Sequence, residues 1–389
     1  MIKPAIVVVG YNRPGALKRL LQSIQAASYP QDNIPLIISI DKSDKSDEVY
    51  QVAEEINWKY GEKTVIKYEE RQGLRKHILQ CGDLSNKYGA VIILEDDLLV
   101  SPSFYQYAYQ ALNFYEQDEK VAGIALYSHR WNGYASVEFL PEQNGYDVYF
   151  GQFSITWGQC WTASQWNQFK AWYLAHQQLP DRNDKLPAAI LSWGKQSWGK
   201  YFVSFIVETD KYYVIPYVAM STNFSEIGQH NEMIDSSHQV PLLSASKENY
   251  CFCKYVDAIK YDVFFERIFN PEMKIAGIAA KDVCVNLNGI KTTTGPCKYV
   301  LAERTLPFAV LATFGLRMRP IDANISNAVK GTELKLYQCP SANTKLPGYS
   351  KILSVQRGNF ALYGYTWRSL ARIALNRFCQ GIRRRIGKY

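Results

Sequence analysis

Along the first hundred positions, short unbroken apolar runs alternate with segments whose apolar residues recur every three or four places. The run "AIVVV" at 5–9 is β-branched on both faces, the mark of a strand buried inside a parallel sheet. A turn, "GYNRPG", follows, and Pro14 suits the first turn of a helix that sets Leu17, Leu20, Leu21 and Ile24 on one face. "PLIISID" at 35–41 reads as a second buried strand ending on an aspartate, ahead of the polar "KSDKSDE" and a helical stretch at 47–60. "TVIKYEE" at 64–70 reads as a third strand, "GLRKHILQCGDLSNKY" as a helix and "AVIILEDD" as a fourth strand. Strands alternating with helices predict an α/β fold with a mostly parallel central sheet.

In such sheets ligands sit beyond the carboxyl ends of the strands. Asn12, Arg13, Asp41, Arg71 and the triplet Glu95, Asp96, Asp97 all lie just past predicted strand ends, so they can converge on one crevice. The triplet is the sharpest chemical signal in the chain. Adjacent carboxylates repel one another, and burial enlarges that penalty unless a cation or a set of donors offsets it. A divalent metal that also holds a diphosphate is one such partner, because hard cations prefer oxygen ligands. The blander explanation is a helix start, with Ser101 as the cap of "SPSFYQYAYQAL". That helix begins several residues later, and capping does not explain three acids behind an unbroken apolar run.

From about 120 to 230 the chain is rich in aromatics and glycine, as in "FGQFSITWGQCWTASQW" and "LSWGKQSWGKYF". Such residues suit a pocket that stacks on a sugar ring and suit a large mixed core equally well. Beyond Asn231 the signals weaken. The expected organisation is a nucleotide-sugar-binding domain over 1–235, a region without an evident role over 236–360 and a basic amphipathic tail over 361–389.

Length and composition fit this picture: 389 residues at 47% hydrophobic fill a sizeable core. No run is long enough for a membrane span, and "MIKPAIVVVGYNRP" turns too early for a secretory signal, so a soluble, cytoplasmic protein is expected. The eight cysteines are scattered and read as reduced thiols. The net charge of +8 is concentrated at the end, where Trp367 to Tyr389 hold seven Lys or Arg and no acid. The remaining body is nearly neutral, which argues against nucleic acid as a partner. In the tail, Trp367, Leu370, Ala374, Phe378 and Ile382 form one apolar stripe between basic flanks. Two readings stand side by side: a helix on an anionic membrane surface, which would make the protein peripheral at the inner face, and a helix docked on its own domain.

The ordered set "IVVVGYNRP", "ISID", "RQGLRKHI", "VIILEDDLLVSPSFYQYAYQAL" and "SITWGQCWTASQW" resembles nucleotide-sugar glycosyltransferases of the A-type fold. Among them it is similar to the N-acetylglucosaminyltransferase of N-glycan branching and to bacterial enzymes of surface-polysaccharide synthesis. The resemblance covers roughly residues 4–230, and "LEDDL" with its helix is its most specific part. It implies a Rossmann-like A-type glycosyltransferase fold with a C-terminal appendage, a nucleoside-diphosphate sugar as donor and Mn2+ or Mg2+ as cofactor. It further implies that Arg13 contacts the diphosphate, Asp41 reads the base, Glu95 and Asp96 contact ribose and sugar, and Asp97 binds the metal. His230 in "NFSEIGQH" resembles the family's late histidine, which closes over the donor, and its glycine and polar neighbours suit a loop that carries a phosphate or metal contact. His77 and His129 have no such context.

One departure concerns catalysis. Inverting members of the family carry a carboxylate base beside tryptophan, whereas "SWGKQ" at 192–196 and "SWGKYF" at 197–202 have glycine there. Glu208 is the first substitute considered, with Asp181 and Asp184 behind it. The acceptor expected is a carbohydrate or lipid-linked carbohydrate. Two other readings compete: a nucleotidyltransferase, against which "GYNRPG" lacks a lysine-bearing phosphate loop, and a catalytically silent carbohydrate-binding or scaffold protein.

Overall fold

Every residue of strand β1 (Ala5–Gly10) is buried, because helices cover both of its faces. The structure, a computed structural model, describes residues 1–29, 33–180, 183–194, 196–224, 238–348 and 366–386. From β1 the chain runs through α1 (Pro14–Gln25), β2 (Leu36–Ile40), α2 (Ser46–Glu55), β3 (Lys63–Lys67), α3 (Leu74–Asp83), α4 (Ser85–Tyr88), β4 (Ala90–Glu95), β5 (Leu98–Val100) and α5 (Phe104–Phe114). Ile6 and Val8 pack in the core layer of α1, α2 and α5, while Ala5, Val7 and Val9 pack in the opposite layer. That alternation is why the sequence shows no polar face.

The four strands expected from the sequence form as a parallel block in the order β4-β1-β2-β3. The second helix stops at Glu55 rather than running to 60, and Ile56 is extended. Its end is closed by Lys63, whose ammonium donates to the carbonyls of Ala53, Glu54 and Ile56 at 3.1, 2.8 and 3.0 Å. Ser101 precedes the first residue of α5 by three positions, and its hydroxyl accepts the Ser103 N–H at 3.1 Å and donates to the Leu243 carbonyl at 2.6 Å.

The chain then adds β6 (Val121–Ala125), the hairpin β7–β8 (Trp131–Asn132, Val137–Glu138), β9 (Val148–Gly151), β10 (Gln159–Thr162), α6 (Ala163–Ala175), α7 (Ala188–Leu191), α8 (Trp198–Glu208), β11 (Tyr212–Pro216), β12 (Ser221–Asn223), β13 (Lys260–Tyr261) and β14 (Arg267–Ile268). The central sheet has ten strands, ordered β14-β13-β9-β11-β6-β10-β4-β1-β2-β3. β10 runs antiparallel to both β4 and β6, so β6 and β11 point the same way as β4. The aromatic-rich stretch mostly fills the layer of α3, α6 and α8, where Trp161, Trp166 and Phe202 are buried.

The expected boundary near 235 moves, because β13 and β14 belong to the central sheet and the 240s and 250s lie against α5. Gln106 and Gln110 donate to the Glu248 carbonyl at 2.8 and 2.6 Å, and the Tyr115 hydroxyl donates to that of Cys253 at 2.7 Å. The first unit therefore runs to about Ile268. A second core follows, made by β15 (Lys274–Ile275), β16 (Ile278–Ala279), β17 (Val283–Val285), β18 (Tyr299–Ala302), β19 (Ala309–Phe314), α9 (Ala323–Ser326) and β20 (Leu334–Gln338), with four strands ordered β17-β18-β20-β19. The chain closes with α10 (Trp367–Ile386).

Candidate active site

The chain leaves β1 for β2 on one side and returns to β4 on the other, so a crevice opens between the carboxyl ends of β1 and β4. Arg13, at the start of α1, and the triplet, at the end of β4, meet there across 83 residues of sequence. The Arg13 guanidinium bonds the Asp96 carboxylate and lies 3.6 Å from Asp97 Oδ2. Burial works to lower the Arg13 pKa, but Asp96, Asp97 and Glu95 together hold it above its ordinary value. Burial pushes Asp96 up to about 6 although Arg13 and a backbone N–H of Tyr11 oppose the shift. Glu95 is driven well above the carboxylate range, first by desolvation and then by Asp97 and Asp96. One arginine thus leaves the triplet under-neutralised. Asp96 Oδ2 and Asp97 Oδ1 are buried and accept no hydrogen bond among the described residues.

Two carboxylate oxygens fit a hard cation that takes its other ligands from water and a diphosphate. No group of three His, Cys, Asp or Glu is placed to hold a metal among the described residues, so any such ion would depend on its substrate for the rest of its shell.

Asp41 also stands at the crevice, but its carboxylate is engaged with backbone. It accepts the N–H groups of Lys42, Gln72 and Gly73 at 2.8, 2.6 and 2.9 Å. These bonds hold the 71–73 loop against the end of β2 and set the N-terminus of α3, where Gly73 has φ +74°, a conformation that favours glycine. The same loop brings the Arg71 guanidinium 5.4 Å from the centre of the Tyr11 ring, next to the half-exposed Asn12. Asn12, Arg13, Asp41, Arg71 and the triplet therefore do gather at one edge of the sheet, although Asp41 serves first as a loop clamp.

The far wall comes from the strand that returns beside β4. Gln159 pairs with Ile93, so continuing the register two residues places Trp157 level with Glu95. Gly158 between them has φ +96°, and a Cβ there would come 2.8 Å from Ser221 Oγ. Trp157 packs against Tyr127 and His238, both at 4.8 Å between ring centres. His129 sits 5.1 Å from Tyr127 with Nε2 3.1 Å from the Ser154 carbonyl, and burial lowers its pKa to about 4. It is a neutral wall residue packed among aromatics, a role that no pattern in the sequence indicates. His77 is likewise structural, buried on Ser39 Oγ at 2.7 Å and lowered to about 4 by burial. Sequence reasoning missed Trp157 and His238. The "TWG" turn was a usable signal for the first, since a glycine entering a strand beside an acidic strand end invites close approach; no local pattern marks the second.

β12 pairs with β5, and the Phe224 N–H donates to the Asp97 carbonyl at 2.8 Å. His230, the expected lid histidine, lies outside the described residues, as does Asp181.

Glu208 requires a correction. It ends α8 just before β11, whose direction matches β4, so it lies at the amino-terminal edge of the sheet, away from the crevice. The five residues of β11 separate the two edges by roughly 17 Å. There Glu208 pairs with His176 at 3.4 Å and shares a depression of about 350 Å³ with Asn183, Lys185 and Ser204, which also draws Asp184 to that side. What reaches the crevice from α8 is its other end. A Cβ on Gly199, in the first turn, would come 3.1 Å from Ser154 Oγ and 3.4 Å from Thr156 Cγ2, in the segment that leads to Trp157.

Residues 1–177 match the model of the GNT-I family, which is the family likeness that the motifs carry. No curated protein sequence matches the chain significantly. Among solved structures, S. aureus TarS residues 1–349 in complex with UDP-GlcNAc aligns at 12% identity over 58% of this chain and 60% of that one, with a TM-score of 0.38. The mannosyltransferase PcManGT from Pyrobaculum calidifontis, in complex with GDP-Man and Mn2+, aligns at 14% identity over 56% and 58%, with a TM-score of 0.31. This chain spans about three fifths of the length of either.

Proposed function

We propose that this chain, a glycosyltransferase of the nucleotide-sugar class, moves a sugar from a nucleoside-diphosphate donor to a carbohydrate or lipid-linked carbohydrate acceptor in bacterial surface-polysaccharide synthesis. The observation that carries the reading is the switch-point crevice in which Arg13 meets three carboxylates and leaves two of their oxygens unpartnered. A diphosphate supplies negative charge for Arg13, and a cation supplies positive charge for Asp96 and Asp97, so donor and metal together complete what the apoprotein leaves unbalanced.

Mn2+ or Mg2+, held by Asp97 with Asp96, would neutralise the diphosphate as it becomes the leaving group. Arg13 and Arg71 bind and orient the phosphates, while Asn12 and the Asp41-clamped loop shape the nucleoside end. Glu95, whose carboxyl is pushed above the ordinary carboxylate range by burial and the neighbouring acids, is the hydrogen-bonding group for ribose or sugar. Trp157 offers an apolar face to the transferred ring. His230 is proposed to close over the donor, and His230→Ala should weaken donor binding by roughly tenfold, the loss of one charge-assisted contact. Unchanged affinity would remove it from the site. A lipid-linked acceptor would place the protein at the cytoplasmic face of a membrane.

A silent carbohydrate-binding protein is the second reading, favoured by glycine at 194 and 199 where the family carries its base. One experiment separates the two. Nucleotide sugars are screened with Mn2+ by thermal shift, and nucleotide release is then followed with and without acceptor glycans. Release supports the transferase, stabilisation without release supports the binding protein, and neither overturns both.

A further inference from the structure

We infer that α10 is a docking surface for an anionic lipid bilayer. The inference is independent of the crevice chemistry. On a helix that turns 100° per residue, Trp367, Leu370, Ala374, Leu375, Phe378 and Ile382 share one broad apolar face. A helix docked on its own domain would bury that face, but Trp367 is 74%, Leu375 61% and Phe378 66% exposed. Apart from the capping bonds of Thr366 to Ser369 and Leu370 in its first turn, no hydrogen bond, ion pair or ring contact among the described residues ties α10 to the rest of the chain. The structure thus favours one of the two readings that the sequence left open.

Charge selects the occupant. Trp367 to Tyr389 hold seven Lys or Arg and no acid, and Arg368 and Arg372 border the apolar face by position. A second copy of the helix would bring like charges together, whereas an anionic headgroup layer answers the charge and receives the apolar residues beneath it. Trp367 suits the boundary between the two, since its ring is apolar and its N–H is polar. At 20 residues the helix is about 30 Å long, and no helix of the described residues is long and apolar enough to cross a membrane. It therefore lies in the plane of the surface.

The test uses the full chain, sedimented with vesicles of phosphatidylcholine alone or with about a third phosphatidylglycerol. Expected is partition into the anionic vesicles at least about tenfold stronger than into neutral ones, weakened by salt. Phe378→Glu and Arg372→Glu should each lower it by roughly tenfold, while nucleotide-induced thermal stabilisation stays as in the parent protein. Equal partition into both vesicle types overturns the inference, as does Phe378→Glu sedimenting like the parent. A dimer seen by sedimentation velocity that Phe378→Glu dissociates, with no vesicle binding, overturns it in favour of self-association.

Discussion

Arg13 is the one basic side chain bonded into the triplet among the described residues, and its reach decides how the acids behave. Asp97 is the acid it serves less closely, so removing that charge relieves repulsion more than it breaks a bond. Asp97→Ala should abolish manganese-dependent nucleotide binding without lowering the melting temperature; retained binding by calorimetry would refute the metal role. Asp96 supplies a pH signature. Its folded pKa of about 6 lies above the ordinary carboxylate value, so its contribution favours the fold at acid pH and is lost as pH rises through about 6. A cation that stabilises the ionised form cancels that loss. Mn2+ should therefore raise the melting temperature more at about pH 7.5 than at about pH 5. His77 and His129, lowered to about 4, add stability above the ordinary histidine pKa that falls away towards acid pH, equally with and without metal, and drop out of the difference. A shift independent of pH would place the ion elsewhere. The gathering of Arg13 and the triplet was legible because strand ends follow from local patterns. The clamp on Asp41 was not, since its amides come from a loop 31 residues away.

At the scale of elements, the order and type of the strands and amphipathic helices through β4 could be read from the sequence, because each pattern matches one period, while the end of α2 and the break between α3 and α4 could not. The misplaced base shows where that reading stops. Nothing in "SWGKYFVSFIVETD" tells which end of α8 faces the ligand; the direction of β11 decides it, and that follows from pairing with β6 and β9. Glu208→Gln should accordingly leave nucleotide release and transfer within about twofold of the parent and cost at most a few tenths of a kcal/mol, since its partner His176 is itself partly exposed. A loss of transfer with folding intact would return Glu208 to the chemistry. Trp157 escaped notice for a related reason: it reaches the crevice just ahead of the antiparallel strand that returns beside β4, which no single segment announces.

Across the whole molecule the boundary near 235 failed because short strands such as β13 and β14 carry too little sequence to show a period. The two cores are joined by a polar seam. The Tyr261 hydroxyl donates to Asp322 Oδ2 at 2.7 Å, Arg267 Nε lies 3.8 Å from the same oxygen and 3.5 Å from Glu142, and the Asn288 N–H donates to Glu266 at 2.6 Å. Asp322→Ala leaves a buried hydroxyl and a guanidinium short of a partner. It should lower the stability to urea by about 1–3 kcal/mol without changing nucleotide affinity; an unaltered midpoint would mean that the seam does not couple the units.

The bond between Arg13 and Asp96 spans 83 residues, and the direct pairing of β1 with β4 that permits it closes a loop of chain holding β2 and β3. The crevice thus rests on non-local contacts and is absent from the unfolded chain. A donor that binds it recognises only the finished fold and withdraws that state from the unfolding equilibrium, by about 2.7 kcal/mol at a hundredfold excess over Kd. Any ligand of the crevice would then act as a folding ligand, setting how much of the newly made protein survives proteolysis.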